Sequence, residues 1–257
     1  MSSAGGSTLV RGLLGSKYAR LEQGSDAWIA LRYGDEMATT ASRLASVLGV
    51  SDYTSRAACM RKTLGGGTGQ CSDAMQFGID HEDYVAQLYL DQMRKTYPRL
   101  RMFVHGFKKH AQCPAFGSSI DRLLYDPDSD TAWGLEIKTR PYGEWRQEVP
   151  LSHRVQMMGV AACYDLPFMD YVCWSPTDAT LAYSRCSVEP GFFTEAMIPI
   201  IEQWHRWRQA KRTPTRMPSK LKRARIAALM SNIYVTAHPD ITAEEPPPPQ
   251  DQIEPAT

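Results

Sequence analysis

The sequence predicts an α/β protein, with a central mixed β-sheet flanked by helices, and three observations predict it. Stretches with helical spacing of apolar residues are interleaved with short runs rich in Val, Tyr, Phe and Trp, the pattern of a sheet covered by helices. Two of those runs, 116–125 and 132–139, are joined by Tyr-Asp-Pro-Asp-Ser-Asp (125–130), a turn-forming sequence, so they read as a hairpin. Finally, 257 residues with 43% hydrophobic and 22% charged content are enough to bury a sizeable core in one large domain with extensions.

Taken in order, the first 20 residues are small, polar and glycine-rich and are expected to be poorly ordered. Ser25 or Asp26 caps a short helix carrying Trp28, Leu31 and Arg32. A second helix within 39–50 stops at Gly49. The stretch 64–73, LGGGTGQCSD, has no Gly-Lys-Ser/Thr and no preceding strand, so its glycines do not make a phosphate loop. A long helix runs from about 73 to 97, ahead of Pro98, with Phe77, Tyr84, Val85, Leu88 and Tyr89 on one stripe and Glu82 at its edge. A strand over 101–108 leads into the hairpin. A helix over 151–165, a strand pair over 168–176 and 179–189, and an amphipathic helix over 191–212 follow.

Beyond 203 the composition changes. No Asp or Glu occurs from Gln203 to Pro239, while Arg206, Arg208, Lys211, Arg212, Arg216, Lys220, Lys222, Arg223 and Arg225 do. From Asp240 the chain is acidic and contains the run Pro246–Pro249. The expected division is therefore a flexible 1–20, a main domain over 21–212, a basic segment over 213–239 and a disordered acidic, proline-rich tail over 240–257. The basic segment is either a solvated helix face or a phosphate-contacting one. Net charge is only +1, so affinity for a polyanion must come from such local patches. No apolar run is long enough to span a bilayer, so no membrane partner is expected. Six scattered cysteines without a Cys-x-x-Cys pair suggest reduced thiols in an intracellular protein, with the compartment undecided.

The hairpin carries the chemistry. Strand alternation puts Glu136 and Lys138 on one face and Ile137 on the other, with Asp121 on the paired strand. Alternating charges usually mark the wet face of a strand, and Glu-x-Lys alone says little more. Six short motifs occur in order, however: Trp28-x-x-x-Arg32-x-Gly34, Ala41-Ser42, Phe77-Gly78-x-x-x-Glu82, Ser119-x-Asp121, Glu136-Ile137-Lys138 and Val155-Gln156-Met157. Together they resemble the λ-exonuclease group, the YqaJ-like viral recombinases of the PD-(D/E)xK nuclease superfamily. Two departures are visible: Ile120 stands where the superfamily has proline, and the interval from Arg32 to Ser42 is longer than usual.

The resemblance implies a restriction-endonuclease-like core and Mg²⁺- or Mn²⁺-dependent degradation of duplex DNA from its 5′ ends. It implies two ions held by Glu82, Asp121, Glu136 and the Ile137 carbonyl, with Lys138 stabilising the attacking hydroxide and Gln156 orienting Lys138 or the water. Arg32, Ser42 and Ser119 match the family's 5′-phosphate pocket. A ring-shaped homotrimer and a single-strand annealing partner are implied as well. Arg140, Arg154, Arg216, Lys220, Lys222 and Arg223 are further candidates for DNA contact. A structure- or site-specific endonuclease and a non-catalytic DNA-binding protein are the alternatives, and the intact acid–lysine set disfavours the second.

Overall fold

The computed structural model describes residues 6–65, 72–141, 148–177 and 180–242. The glycine-rich stretch 66–71 and the acidic tail from 243 lie outside the described residues. In order, the chain forms α1 (Gly6–Leu14), α2 (Asp26–Tyr33), β1 (Thr39–Thr40), α3 (Ala41–Leu48), α4 (Arg56–Leu64) and α5 (Asp73–Arg94). Then come β2 (Arg101–Lys109), β3 (Phe116–Asp126), β4 (Thr131–Thr139), α6 (Leu151–Tyr164), β5 (Phe168–Trp174) and β6 (Thr180–Val188). A π-helical turn (Phe193–Met197) leads into α7 (Ile198–Gln209), followed by α8 (Ser219–Asn232) and β7 (Ile233–Thr242).

The strands make one mixed sheet in the order β1-β3-β4-β5-β6-β7, with β2 also on β3. Only β1–β3 and β4–β5 are parallel. The second parallel pair needs a crossover, and α6 provides it. One apolar layer packs Val85, Tyr89 and Leu90 of α5 against Leu124, Leu135, Ile137 and Val172. On the other face α1, α3, α6 and α7 pack against Phe116, Ile120, Leu123 and Tyr171. The expected mixed sheet between helices is thus what forms, and the hairpin falls where its alternation and turn predicted.

Three elements differ from the sequence reading. Within the segment expected to be poorly ordered, Gly6–Leu14 is a docked helix: Val10 and Leu13 of α1 are buried, and the Gly6 N–H donates to the Asp130 carbonyl at 2.9 Å. Tertiary burial here overrides poor local helix propensity. The segment Arg56–Leu64 is a helix capped by Ser55, whose Oγ accepts the Ala58 N–H at 3.2 Å. Residues 213–239 are no separate basic segment but supply α8 and most of β7, which pairs along β6 from Val188↔Ile233 to Thr180↔Thr242. Residues 240–242, expected in the tail, belong to this strand. Pro239 disguised this strand, and an edge strand tolerates it because one side needs no ladder partner.

The N-terminal segment is fastened to β2 at an irregular stretch, where the register with β3 shifts around His105. His105 is buried; its Nε2 donates to the Leu13 carbonyl at 3.2 Å, leaving Nδ1 to accept from the Tyr164 hydroxyl at 2.9 Å. Next to it, the Gly106 N–H donates to the Ala19 carbonyl at 2.9 Å. A Cβ at Gly106 would sit 2.2 Å from the Leu21 carbonyl oxygen and 2.7 Å from that of Tyr18. Those are backbone atoms that cannot swing aside. Gly106→Ala is expected to cost ~2–3 kcal/mol of stability, read as a lower urea midpoint at unchanged m; an unaltered midpoint would mean that residues 16–21 do not hold this docking.

Candidate active site

The β3–β4 ladder runs from Asp126↔Thr131 to Arg122↔Leu135 and ends there. One residue further the strands part, and the Asp121 side chain replaces the missing neighbour: Oδ2 accepts the Ile137 N–H at 2.8 Å. A backbone donor that would otherwise be orphaned is satisfied by a carboxylate. Alternation sends Ile137 into the layer under α5 and Glu136 towards α6. There Gln156 Nε2 donates to Glu136 Oε1 at 2.5 Å, and Lys138 Nζ donates to the same oxygen. Gln156 thus engages Glu136, where the resemblance implied a role in orienting Lys138 or the water.

Glu82 arrives from the other layer, on α5. Its Oε1 accepts from Arg122 Nη1 at 2.6 Å, while Nη2 of the same guanidinium donates to Asp83. Arg122 Nη1 also reaches the Asp121 carbonyl at 2.5 Å. With only 6% of its side chain exposed, Arg122 fastens the acidic turn of α5 to the strand that carries Asp121. Sequence reasoning missed it; the available signal was its place directly after Asp121, which strand alternation turns towards the opposite layer.

The cluster is short of positive charge. Burial, and then the neighbouring Asp121, push the Glu136 carboxyl up to about 7. Burial and Asp121 also raise Glu82, although Arg122 opposes this. Burial alone would lower Lys138, but Glu136 and Asp121 hold its ammonium above the ordinary lysine range. As placed, the carboxylates turn to protein donors, and among the described residues no three His, Cys, Asp or Glu side chains converge as a metal cluster. The donors nevertheless fit a hard divalent cation in kind, being carboxylate oxygens whose mutual repulsion such an ion would relieve.

On the same strand, two residues before Asp121, Ser119 Oγ accepts the indole N–H of Trp28 at 2.9 Å. The Arg32 guanidinium lies over the Trp28 ring, 4.5 Å from its centroid, and its Nη2 donates to Ser42 Oγ at 2.5 Å. The parallel pairing of β1 with β3 sets the start of α3, and with it Ser42, beside this strand. Arg32 Nε is buried without a hydrogen-bond partner, and Asp121 is among the charges that act on this guanidinium. Arg32, Ser42 and Ser119 are therefore gathered next to the carboxylates. Arg208 of α7 supports them from behind, donating to the carbonyls of Tyr33, Gly34 and Asp35 at 3.0, 2.8 and 3.2 Å where α2 ends.

The remaining candidates are dispersed. Arg140 follows β4, close enough to Lys138 for both to lower His153, which burial first of all brings down to about 4. Arg154 is held within the fold: Nε donates to the Val149 carbonyl at 2.8 Å and Nη2 to Glu148 at 3.3 Å. Arg216, Lys220, Lys222 and Arg223 belong to the approach to α8 and its opening turns, away from this site. The five described cysteines are free and buried, and no described helix is long and apolar enough to cross a membrane.

Among solved structures, the chain is similar to an alkaline exonuclease, LHK-Exo, from Laribacter hongkongensis. Identity is 21%, the TM-score is 0.55, and the match covers 80% of this chain and 97% of that one. The structure of LHK-Exo in complex with dAMP matches with the same identity and coverage, at a TM-score of 0.54. Likeness at this identity is one of fold, and that shared fold is restriction-endonuclease-like, as expected. No curated protein sequence matches the chain. The model of the YqaJ-like viral recombinase domain matches residues 27–167, more than half of the chain. Those residues take in Trp28 and Arg32, the acidic turn of α5, the hairpin and Gln156, and the chain belongs to the YqaJ-like viral recombinase domain family.

Proposed function

We propose that the chain is a divalent-metal-dependent exonuclease that degrades one strand of duplex DNA in the 5′-to-3′ direction from a 5′-phosphorylated end. The observation that carries this reading is the adjacency on β3 of an acid–lysine cluster and an arginine–serine pocket, with Asp121 and Ser119 two residues apart. Family membership and the likeness in fold to an alkaline exonuclease support it. The ring-shaped trimer, the single-strand annealing partner and an intracellular setting are part of the same proposal. Sedimentation of the purified chain tests the first of these.

Glu82, Asp121, Glu136 and the Ile137 carbonyl would hold one or two Mg²⁺ or Mn²⁺ ions. Such ions supply Lewis-acid stabilisation of the charge that builds on the phosphate during hydrolysis. The chain's own groups do the rest. Lys138 stays protonated, so at neutral pH it acts as a donor to the incoming oxygen and to the phosphate, not as a base. Gln156 fixes Glu136 by one oxygen, and among the described residues neither it nor Lys138 meets Oε2. Arg32 takes the terminal phosphate, with hydroxyls of Ser42 and Ser119 as short additional donors. Water adds to phosphorus, the bond to the 3′ oxygen breaks and that oxygen takes up a proton. A 5′-mononucleotide leaves, and the shortened strand carries a new 5′-phosphate for the same pocket.

Asp121→Ala and Glu136→Ala are each expected to abolish Mg²⁺-dependent degradation of linear duplex, with circular dichroism unchanged. Lys138→Ala should lose activity as severely yet still bind Mn²⁺, because an ammonium is no ligand. Near-normal turnover in either acid variant would remove the cluster from catalysis.

Linear duplex with a 5′-phosphate should be degraded at least tenfold faster than duplex with a 5′-hydroxyl, since a charge-assisted contact contributes ~1.5–3 kcal/mol. Arg32→Ala should erase that preference. Equal rates on both ends, or cleavage of covalently closed circles, would favour an endonuclease.

A carboxyl whose folded pKa lies above its unfolded value stabilises the fold below the unfolded value, near 4.5, and loses that contribution as pH rises through about 7. In metal-free buffer, Glu136→Gln should therefore melt higher than the unmutated protein near pH 8, on the order of 5 °C, and the gap should shrink towards pH 5. A gap independent of pH would show that Glu136 does not titrate in this range.

A further inference from the structure

A second concave surface lies away from the carboxylates. The α3–α4 connection faces the stretch from Thr215 to Ile226 across a cleft of about 660 Å³. Among the described residues lining it, Arg56, Arg216, Lys222 and Arg223 stand against one acid, Asp52. Arg56 is committed to the fold: its Nε donates to the Val47 carbonyl at 3.0 Å, and its guanidinium sits 5.0 Å from the Trp207 ring centroid. Arg216, Lys222 and Arg223 are different, since no carboxylate among the described residues pairs with them. On the facing wall Tyr53 is 84% exposed. A local turn presents it, with Ser51 Oγ accepting the N–H groups of Tyr53 and Thr54 at 3.2 Å each.

The opening turns of α8 set these charges against the helix's own dipole. They contain Lys220, Lys222 and Arg223 and no acid, although a helix N-terminus favours anions. A solvated face gains nothing from that arrangement, whereas a polyanion lying across it does. An exposed aromatic among unpaired cations suits an unpaired strand in particular. Its phosphates need neutralising and its bases offer free faces for stacking, while a duplex hides those faces. The cleft and Ser42 lie at opposite ends of α3, whose eight residues span ~12 Å, so one strand can reach both.

Building on the nuclease reading, we propose that this cleft is a groove for single-stranded DNA, with Arg216, Lys222 and Arg223 on the phosphates and Tyr53 stacked on a base. The test is fluorescence anisotropy of a labelled oligothymidylate with the full-length protein in EDTA, where hydrolysis does not interfere. Tyr53→Ala should weaken binding about tenfold, and Tyr53→Phe should restore it. Changing Arg216, Lys222 and Arg223 together to glutamine should flatten the slope of log affinity against log salt by about 2. Unchanged affinity and slope would overturn the proposal, as would an equal loss on blunt duplex. Intact groove binding without metal-dependent hydrolysis would count against the nuclease reading alone; hydrolysis with no effect of the groove variants on binding would count against the groove alone.

Discussion

Like charges resist being gathered, yet Glu82, Asp121 and Glu136 lie within electrostatic reach of one another where two strands stop pairing, and the surroundings are arranged to make that tolerable. Arg122 answers Glu82, the Ile137 amide answers Asp121, and Lys138 with Gln156 answers Glu136. These answers are partial, because Glu136 remains raised by burial and by Asp121. A second buried carboxylate gives the comparison. Asp170 accepts from the Tyr89 and Tyr183 hydroxyls at 2.5 and 3.1 Å and from two nitrogens of Arg185 at 2.8 and 3.0 Å. It spreads four donors over both oxygens, as a structural acid must. Among the described residues Glu136 has two donors, both on Oε1. An acid left under-satisfied at the open end of a hairpin is a candidate for function rather than for structure.

The two networks are linked through α5, which carries both Tyr89 and Glu82. The Asp170 cluster joins α5 to β5 and β6 through Tyr89, whose hydroxyl also accepts from the Trp133 indole at 3.1 Å. The well-satisfied network fixes the helix, and the helix delivers Glu82 to the poorly satisfied one. Removing the Tyr89 hydroxyl would leave the buried Asp170 carboxylate short of a donor at a cost of ~1–3 kcal/mol, and that bond ties α5 to the sheet.

The hairpin and its carboxylates were legible in the sequence because both signals are local. Period-two alternation puts Glu136 and Lys138 on one face, and the Asp- and Pro-rich link allows little but a turn. The end of α3 was legible for the same reason: Gly49 occupies a left-handed conformation, φ 73°, that other residues adopt at a cost. What was not legible depends on tertiary partners. α1 is held by burial of Val10 and Leu13 against a sheet more than a hundred residues away. Arg122 acts through Glu82, a contact between α5 and β3 that no spacing rule encodes. The basic run hid a division of labour, since Arg208 and Arg225 turn inward to backbone carbonyls, Arg225 to that of Leu48 at 2.6 Å. Composition counted them together with outward-facing cations such as Arg216 and Arg223, although burial separates them.

On the proposed reading, one strand sets the geometry of both recognition and cutting. Ser119 and Asp121 alternate along β3, and alternate residues of a strand are only ~6.8 Å apart on one face. A phosphate held by Arg32, Ser42 and Ser119 would thus lie at a separation from the carboxylates that backbone geometry fixes and loop motion cannot change. Trp28 strengthens this link by stacking under Arg32 while donating to Ser119, so the arginine and the strand move as one body. The α2 end that carries Arg32 is in turn clamped by Arg208. A ruler built this way discriminates ends by the presence of a charge at one fixed distance from the cut, which requires no contact with the base and so no preference for sequence.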